Sequence, residues 1–246
     1  YLCQALGLRP EAAAEYRRGL ELAPEQTIMR CRLAEVLMEL RELDEAAGLL
    51  ERCIREDPNH PEIVLAWAEC LLKRDDAQRA RTALERLLQN VPDHFEAQRM
   101  LGEIELSQGR FQAALAHLER AVRQRPYDTT ARYALGKTLR ALGRTREAQP
   151  HLDYVKQAEE SLARMEQQLR QVVDRPDDAA LRYEIGMTLL RCGSPEDGVK
   201  WLHTVVQLQP DHSGARQALA DYYEARGDWQ SARFHRQLGR KPTSAR

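Results

Sequence analysis

Residues 95–128, FEAQRMLGEIELSQGRFQAALAHLERAVRQRPYD, carry two helical stripes with a break between them. Met100, Leu101, Ile104 and Leu106 recur at helical spacing and Gly109 interrupts them. Phe111, Ala114, Leu115, Leu118, Ala121 and Val122 begin a second stripe that stops before Pro126. Neither helix can bury its stripe alone, so the stretch predicts a helical hairpin that needs neighbours. The small residues Gly102, Ala114 and Ala121 fall where two helix backbones approach most closely, and a larger side chain there would push them apart.

The same unit recurs along the chain. Pro24, Pro58, Pro92 and Pro126 stand at intervals of 34 residues, and Pro176 and Pro210 repeat the interval. With units started at Thr27, Pro61, Phe95, Thr129, Ala179 and Ser213, the eighth residue is Ala34, Ala68, Gly102, Gly136, Gly186 and Ala220. The twentieth is Ala46, Ala80, Ala114, Ala148, Gly198 and Ala232. Gly109, Gly143, Gly193 and Gly227 occupy position fifteen, where the turn calls for a residue without a Cβ penalty.

This pattern resembles the tetratricopeptide repeat family, whose signature is W-x2-L-G-x2-Y, then A-x3-F, then P. Leu101-Gly102, Leu135-Gly136, the variant Ile185-Gly186 and the recurrent Ala and Pro carry the likeness over nearly the whole chain, although the first Trp is absent from every unit. The resemblance implies an all-α fold, a right-handed superhelical α-solenoid of helix-turn-helix repeats, that binds a protein or peptide in its concave groove. It does not imply an enzyme.

Composition agrees. The 246 residues are 43% hydrophobic and 30% charged, and no apolar run is long enough to cross a bilayer as a helix. A formal net charge of −1 removes the electrostatic case for nucleic-acid binding by the whole chain. Cys3, Cys31, Cys53, Cys70 and Cys192 show no CxxC and no paired spacing, which reads as free thiols and favours a reducing compartment, the cytoplasm. Tyr1 falls at position nine of a unit containing Gly7, Ala12, Tyr16 and Pro24, so the chain is expected to be a piece of a longer protein that begins inside a repeat.

One segment breaks the period. Pro126 to Pro176 spans 50 residues, an excess of 16. No Gly or Pro interrupts His151 to Arg175, so the excess predicts a single extended helix near 146–174, roughly 40 Å long, with Pro150 straining its early turns. Val155, Ala158, Leu162, Met165, Leu169 and Val172 draw a narrow seam down it. Two readings follow: the distal half packs against the helix starting near Ala179, or residues 155–172 mediate homo-oligomerisation or hold a partner helix. The expected organisation is an N-terminal repeat block at 1–160 (a partial repeat at 1–26, then repeats 27–60, 61–94, 95–128 and 129–160). The distal rod and turn follow at 161–178, a C-terminal block at 179–238 and a polar tail at 239–246.

No catalytic, metal-binding or cofactor-binding constellation emerges. His60, His94 and His212 share position 34 and His117, His151 and His235 share position 23, which holds each imidazole a repeat away from the next. There is no P-loop, no GxGxxG and no nucleophile elbow. Trp201, Trp229 and Phe111 read as core.

Function is therefore expected in the groove. The resemblance places positions 2, 5, 9 and 12 of each first helix on the concave face. Glu35, Glu69 and Glu103, reinforced by Glu62, Glu96 and Glu39, then make its N-terminal half acidic, and Tyr133, Lys137, Arg140, Tyr183, Met187 and Arg191 continue it as an aromatic and basic stretch. The expected partner is a segment carrying Lys or Arg, with an apolar or aromatic residue reaching toward Tyr133 and Tyr183. The repeats that clamp chaperone C-termini need Lys and Asn at positions 5 and 9, and Cys31 and Glu35, Leu65 and Glu69, and Arg99 and Glu103 do not supply them. The alternatives are a regulatory or targeting arm of an enzyme whose catalytic domain lies upstream, and an oligomerisation module built on the long helix.

Overall fold

The computed structural model describes residues 9–239, and every regular element among them is an α-helix. Helix α1 (Arg9–Leu22) is followed by three hairpins: α2 (Thr27–Glu39) with α3 (Leu43–Glu56), α4 (Pro61–Lys73) with α5 (Ala77–Asn90), and α6 (Phe95–Ser107) with α7 (Phe111–Gln124). They belong to one compact unit that runs through Arg125 and includes Ala141–Gly143. The second unit comprises Pro126–Arg140 and the residues from Arg144 onward. Its helices are α8 (Thr129–Ala141), α9 (Thr145–Asp174), α10 (Ala179–Cys192), α11 (Pro195–Leu208), α12 (Ser213–Ala225) and α13 (Trp229–Gly239). Gly7 and Cys3 of the partial repeat, and the tail from residue 240, lie outside the described residues. No described helix is long and apolar enough to cross a membrane.

The helix pairs form because each presents an apolar stripe to the other, with small residues at the crossing. Ala34, Ala68 and Ala220 at position 8, and Ala46, Ala80, Ala114 and Ala148 at position 20, are completely buried. Where the residue is glycine the approach is closer still. A Cβ at Gly102 would run into the side chain of Leu118, and one at Gly136 would lie 2.7 Å from Leu152 Cδ2. At Gly198 the obstacle is backbone, 2.6 Å to the Leu190 nitrogen and 2.7 Å to the Gly186 carbonyl oxygen.

Position 15 takes the left-handed conformation that closes the hairpin: φ is 73°, 76° and 78° at Gly109, Gly143 and Gly227. Arg41 and Asp75 adopt it as well, at 66° and 62°, so the turn geometry is imposed even where glycine is missing. Gly193 does not follow the expectation. Its φ is −126°, and α10 runs on to Cys192. The cause lies downstream: Pro195 opens α11 and holds Ser194 extended, at φ −94° and ψ 107°, so this turn closes through an extended serine that caps α11.

The sixteen-residue excess extends a helix, as the absence of breakers requires. Helix α9 is continuous over 30 residues, about 45 Å, with Pro150 inside it. Val155 and Ala158 are buried, and α9 packs against α10. Leu162, Met165 and Val172 are half-buried, and Leu169 and Val173 are exposed. Tyr154 pins the junction by donating its hydroxyl to the carbonyls of Tyr127 and Arg191.

A polar latch, invisible in the hydrophobic pattern, recurs at position 4. Gln98 Nε2 donates to the Pro92 carbonyl at 2.6 Å, Arg182 Nε to that of Pro176 at 2.6 Å and Arg216 Nε to that of Pro210 at 2.9 Å; Arg132 makes the same bond to Pro126. Each donor reaches back six residues to the proline that ends the preceding repeat. Position 23 steadies it from the second helix: His117 Nδ1 lies 2.7 Å from Gln98 Oε1, His151 Nδ1 3.4 Å from Arg132 and His235 Nδ1 3.2 Å from Arg216, while the Trp201 ring lies 5.6 Å from the Arg182 guanidinium. The histidine ladder of the sequence is therefore part of the joint between repeats. Burial pushes His117, His151 and His235 below the ordinary imidazole value, aided at His235 by Arg216 and His203, and His235 falls to about 4.

Trp229 was expected in the core and is instead 64% exposed. Its position, seventeen, is the one from which Leu43 in α3 packs beneath the next repeat, where the Cys70 thiol meets the Leu43 carbonyl at 3.9 Å. No described repeat follows α13 to cover it.

Candidate partner-binding groove

In the first unit, the first helices of three successive repeats, α2, α4 and α6, line an open groove of about 520 Å³. Met38, Leu65, Ala66 and Met100 give it an apolar floor, and Glu35, Glu39, Glu62, Glu69 and Glu96 stand along it. Five of the six glutamates singled out in the sequence are thus brought together. The sixth, Glu103, is half-buried beside the groove and bound to Arg99 at 2.8 Å.

The groove is less bare than the glutamate pattern implies, because every one of these carboxylates has a cation. Glu35 pairs with Arg32 at 2.9 Å, Glu69 with Lys73 at 3.4 Å and Glu96 with Arg125 at 2.7 Å; Glu39 pairs with Arg9, and Glu62 lies 4.0 Å from Arg32. Arg32, Lys73 and Arg99 line the groove themselves, so five carboxylates against three cations leave a net charge of −2. The pairs Arg32–Glu35 and Arg99–Glu103 stand at three- and four-residue helical spacing and were legible as such. Glu96–Arg125 and Glu39–Arg9 join different helices, and only the fold reveals them.

The aromatic and basic residues of the second unit fall into two groups. Tyr133, Lys137 and Arg140 project from α8, with Tyr133 half exposed and the Lys137 ammonium 5.4 Å from its ring centroid, a cation–π arrangement. Tyr183, Met187 and Arg191 belong to α10. Tyr183 is half-buried, its ring centroid 4.8 Å from that of His212, and a Cβ on Gly214 would touch its hydroxyl at 2.9 Å, so much of this tyrosine is taken up in packing. Met187 and Arg191 open instead onto a cleft shared with α9.

Among the described residues no three His, Cys, Asp or Glu side chains converge as a metal site. Cys31, Cys53 and Cys70 are buried, and burial raises Cys70 and Cys192 above the ordinary thiol range.

Comparison with known proteins fits this architecture. A family model described as the tetratricopeptide repeat matches residues 4–61 and 65–129, and a second with the same description matches 105–159. A search of curated proteins gave no match. Among solved structures, YrrB, described as a TPR protein with an unusual peptide-binding site, is 22% identical, with 82% of this chain and 96% of that one covered and a TM-score of 0.51. A MamA protein is 20% identical over 66% of this chain and 88% of its own, at a TM-score of 0.55. A tetratricopeptide repeat protein from Parabacteroides merdae is 13% identical over 98% of this chain and 91% of its own, at 0.56. At these identities the likeness concerns the fold, and it is the fold built above from position 8, position 20 and the turn at position 15. The chain is an all-helical α-solenoid of tandem repeats, and it belongs to the tetratricopeptide repeat family.

Proposed function

We propose that the chain is a non-enzymatic protein-interaction scaffold, and that the groove of α2, α4 and α6 holds an extended protein or peptide segment carrying Lys or Arg. The observation that carries this reading is the convergence of three successive first helices on one open groove with a methionine-bearing apolar floor and an excess of carboxylates. Methionine adapts its shape to different apolar side chains, so the floor supplies contact area and the carboxylates select among ligands by charge. Because each glutamate already has a cation, an incoming lysine or arginine exchanges partners rather than meeting a naked charge, and its electrostatic gain per contact is small. The peptide-binding site named for YrrB supports the same class of function. On α8, exposed Tyr133 with Lys137 and Arg140 offers a separate contact for an aromatic or apolar residue of the partner.

The test is the triple change Glu35→Gln, Glu62→Gln and Glu69→Gln, read by fluorescence anisotropy with a labelled hexalysine peptide. Glu62 is included because its side chain is 71% exposed and its nearest cation is 4.0 Å away. Three exposed contacts below about 1 kcal/mol each predict roughly tenfold weaker binding and a flatter salt dependence. Unchanged affinity at low ionic strength would show that the carboxylates do not select the partner.

The exposure of Leu169 favours a second reading, self-association through the α9 seam at 155–172. It predicts a concentration-dependent mass in sedimentation that Leu169→Glu abolishes.

A further inference from the structure

Beyond the groove of the first unit, we propose that the cleft between the distal half of α9 and α10 is a receptor for carboxylates, and that it takes an acidic peptide segment. The cleft measures about 210 Å³; α9 lines it with Ser161, Arg164 and Gln168, and α10 with Glu184, Met187, Thr188, Arg191 and Cys192. Positions 161, 164 and 168 share one face of α9, as 184, 187, 188 and 191 share one face of α10, so two mostly polar rows oppose each other beside the apolar seam.

Its two guanidinium groups differ from the cations of the first unit. Arg164 donates only within its own helix, to the Glu160 carbonyl and the Ser161 hydroxyl, each at 3.3 Å. Among the described residues neither Arg164 nor Arg191 is ion-paired with a carboxylate, whereas Arg32, Lys73 and Arg99 all are. Two guanidinium groups without a carboxylate partner in one cleft offer the planar paired donors that a carboxylate takes. Glu184 opposes them and brings the net charge of the lining to +1. It restricts the favourable end of the cleft to the guanidinium side.

The walls are held in place before any ligand arrives. Val155 and Ala158 are buried, and the Tyr154 hydroxyl is bonded to the backbone carbonyl of Arg191 itself. The residue that presents one guanidinium is thereby tied to the helix that presents the other. The cleft exists only because α9 is extended, since a second helix of regular length, such as Phe111–Gln124, ends at position 30, here Ala158, and Ser161, Arg164 and Gln168 all lie beyond it.

The experiment is fluorescence anisotropy of the full chain with a labelled, end-capped hexaglutamate peptide at low ionic strength. Its arms are the parent, the double variant Arg164→Gln with Arg191→Gln, and Glu184→Gln. Both arginines are exposed at the surface, and circular dichroism verifies that each variant keeps the parent's helicity and melting profile. Loss of two exposed charge pairs predicts about tenfold weaker binding in the double variant, and removal of the opposing charge predicts tighter binding in Glu184→Gln. Slower alkylation of Cys192 in the presence of the peptide, followed by mass spectrometry, would place the peptide in the cleft. Parent binding that the double variant retains, or no binding by the parent at low salt, would overturn the assignment. The hexalysine arms that test the first-unit groove respond to different residues, so either reading can fail without the other.

Discussion

Replacing Gly198 by alanine separates the demands of this fold from those of its sequence pattern. Five sister repeats carry alanine at position 20, so pattern alone recommends the change. The structure forbids it: the new Cβ would lie 2.6 Å from the Leu190 nitrogen, 2.7 Å from the Gly186 carbonyl oxygen and 3.0 Å from the Leu190 Cα. Comfortable separations are about 3.5–4.0 Å, so helices α10 and α11 would have to part by most of an ångström. Side chains can rotate out of the way, but backbone atoms cannot. Overpacking of this kind costs about 1–3 kcal/mol, and the helix-propensity gain of alanine over glycine, about 1 kcal/mol, offsets part of it. The control is Gly48→Ala in α3, where nothing lies within 4 Å of the added atom and only the propensity gain of about 1 kcal/mol remains. Thermal unfolding followed at 222 nm should show a lower midpoint for Gly198→Ala and a higher one for Gly48→Ala, each by a few degrees. A Gly198→Ala protein at least as stable as the parent would refute the argument that a backbone contact sets the α10–α11 distance.

Two further outcomes can be measured on the same protein. Arg41→Gly should raise the melting midpoint, because relief of a left-handed non-glycine residue, about 1–2 kcal/mol, exceeds the added chain entropy of glycine, and Asp75→Gly should gain less because aspartate tolerates that conformation. Stability should also fall on acidification. Burial holds His117, His151, His203 and His235 below the ordinary value, with His235 at about 4, so the unfolded chain takes up protons as pH drops below about 6.5 while the folded chain does not. The stabilisation is therefore full above about pH 6.5 and is lost toward pH 4, His235 alone accounting for something on the order of 3 kcal/mol. Urea unfolding at pH 7.5 and pH 5 checks this, and equal midpoints would contradict it.

What could be read directly from the residues was whatever repeats locally. The helical stripes, the small positions and the uninterrupted run after His151 are set by periodicity and by steric limits that act within one hairpin or one helix, and the structure carries all three. The charges were legible only in part. Glu35 and Glu103 stand as bare acids in the pattern, although Arg32 and Arg99 sit one helical turn away. Glu39 and Glu96 find their cations across the boundary between helices, a distance that spacing along the chain does not report. Position 4 was opaque for the same reason, since Gln98, Arg182 and Arg216 look like surface residues until their proline carbonyl partners are placed beside them. Gly193 misled because its turn is decided by Pro195, two residues later. The cleft of Arg164 and Arg191 joins a segment outside the repeat to one inside it, and no periodicity links the two.

The latch at position 4 also bears on how such a chain can change length. Its bond counts six residues from proline to donor, and that count is the same at Pro126–Arg132, before the long helix, and at Pro176–Arg182, after it. The whole sixteen-residue surplus has been accommodated between two unaltered joints, inside an element whose backbone satisfies itself at any length. A residue inserted into either joint would break the six-residue count and cost the chain that hydrogen bond. Graftable variation in this architecture therefore belongs in the helices, and splicing about 18 further residues, five whole turns, into the middle of α9 would lengthen it without rotating the face it offers to α10.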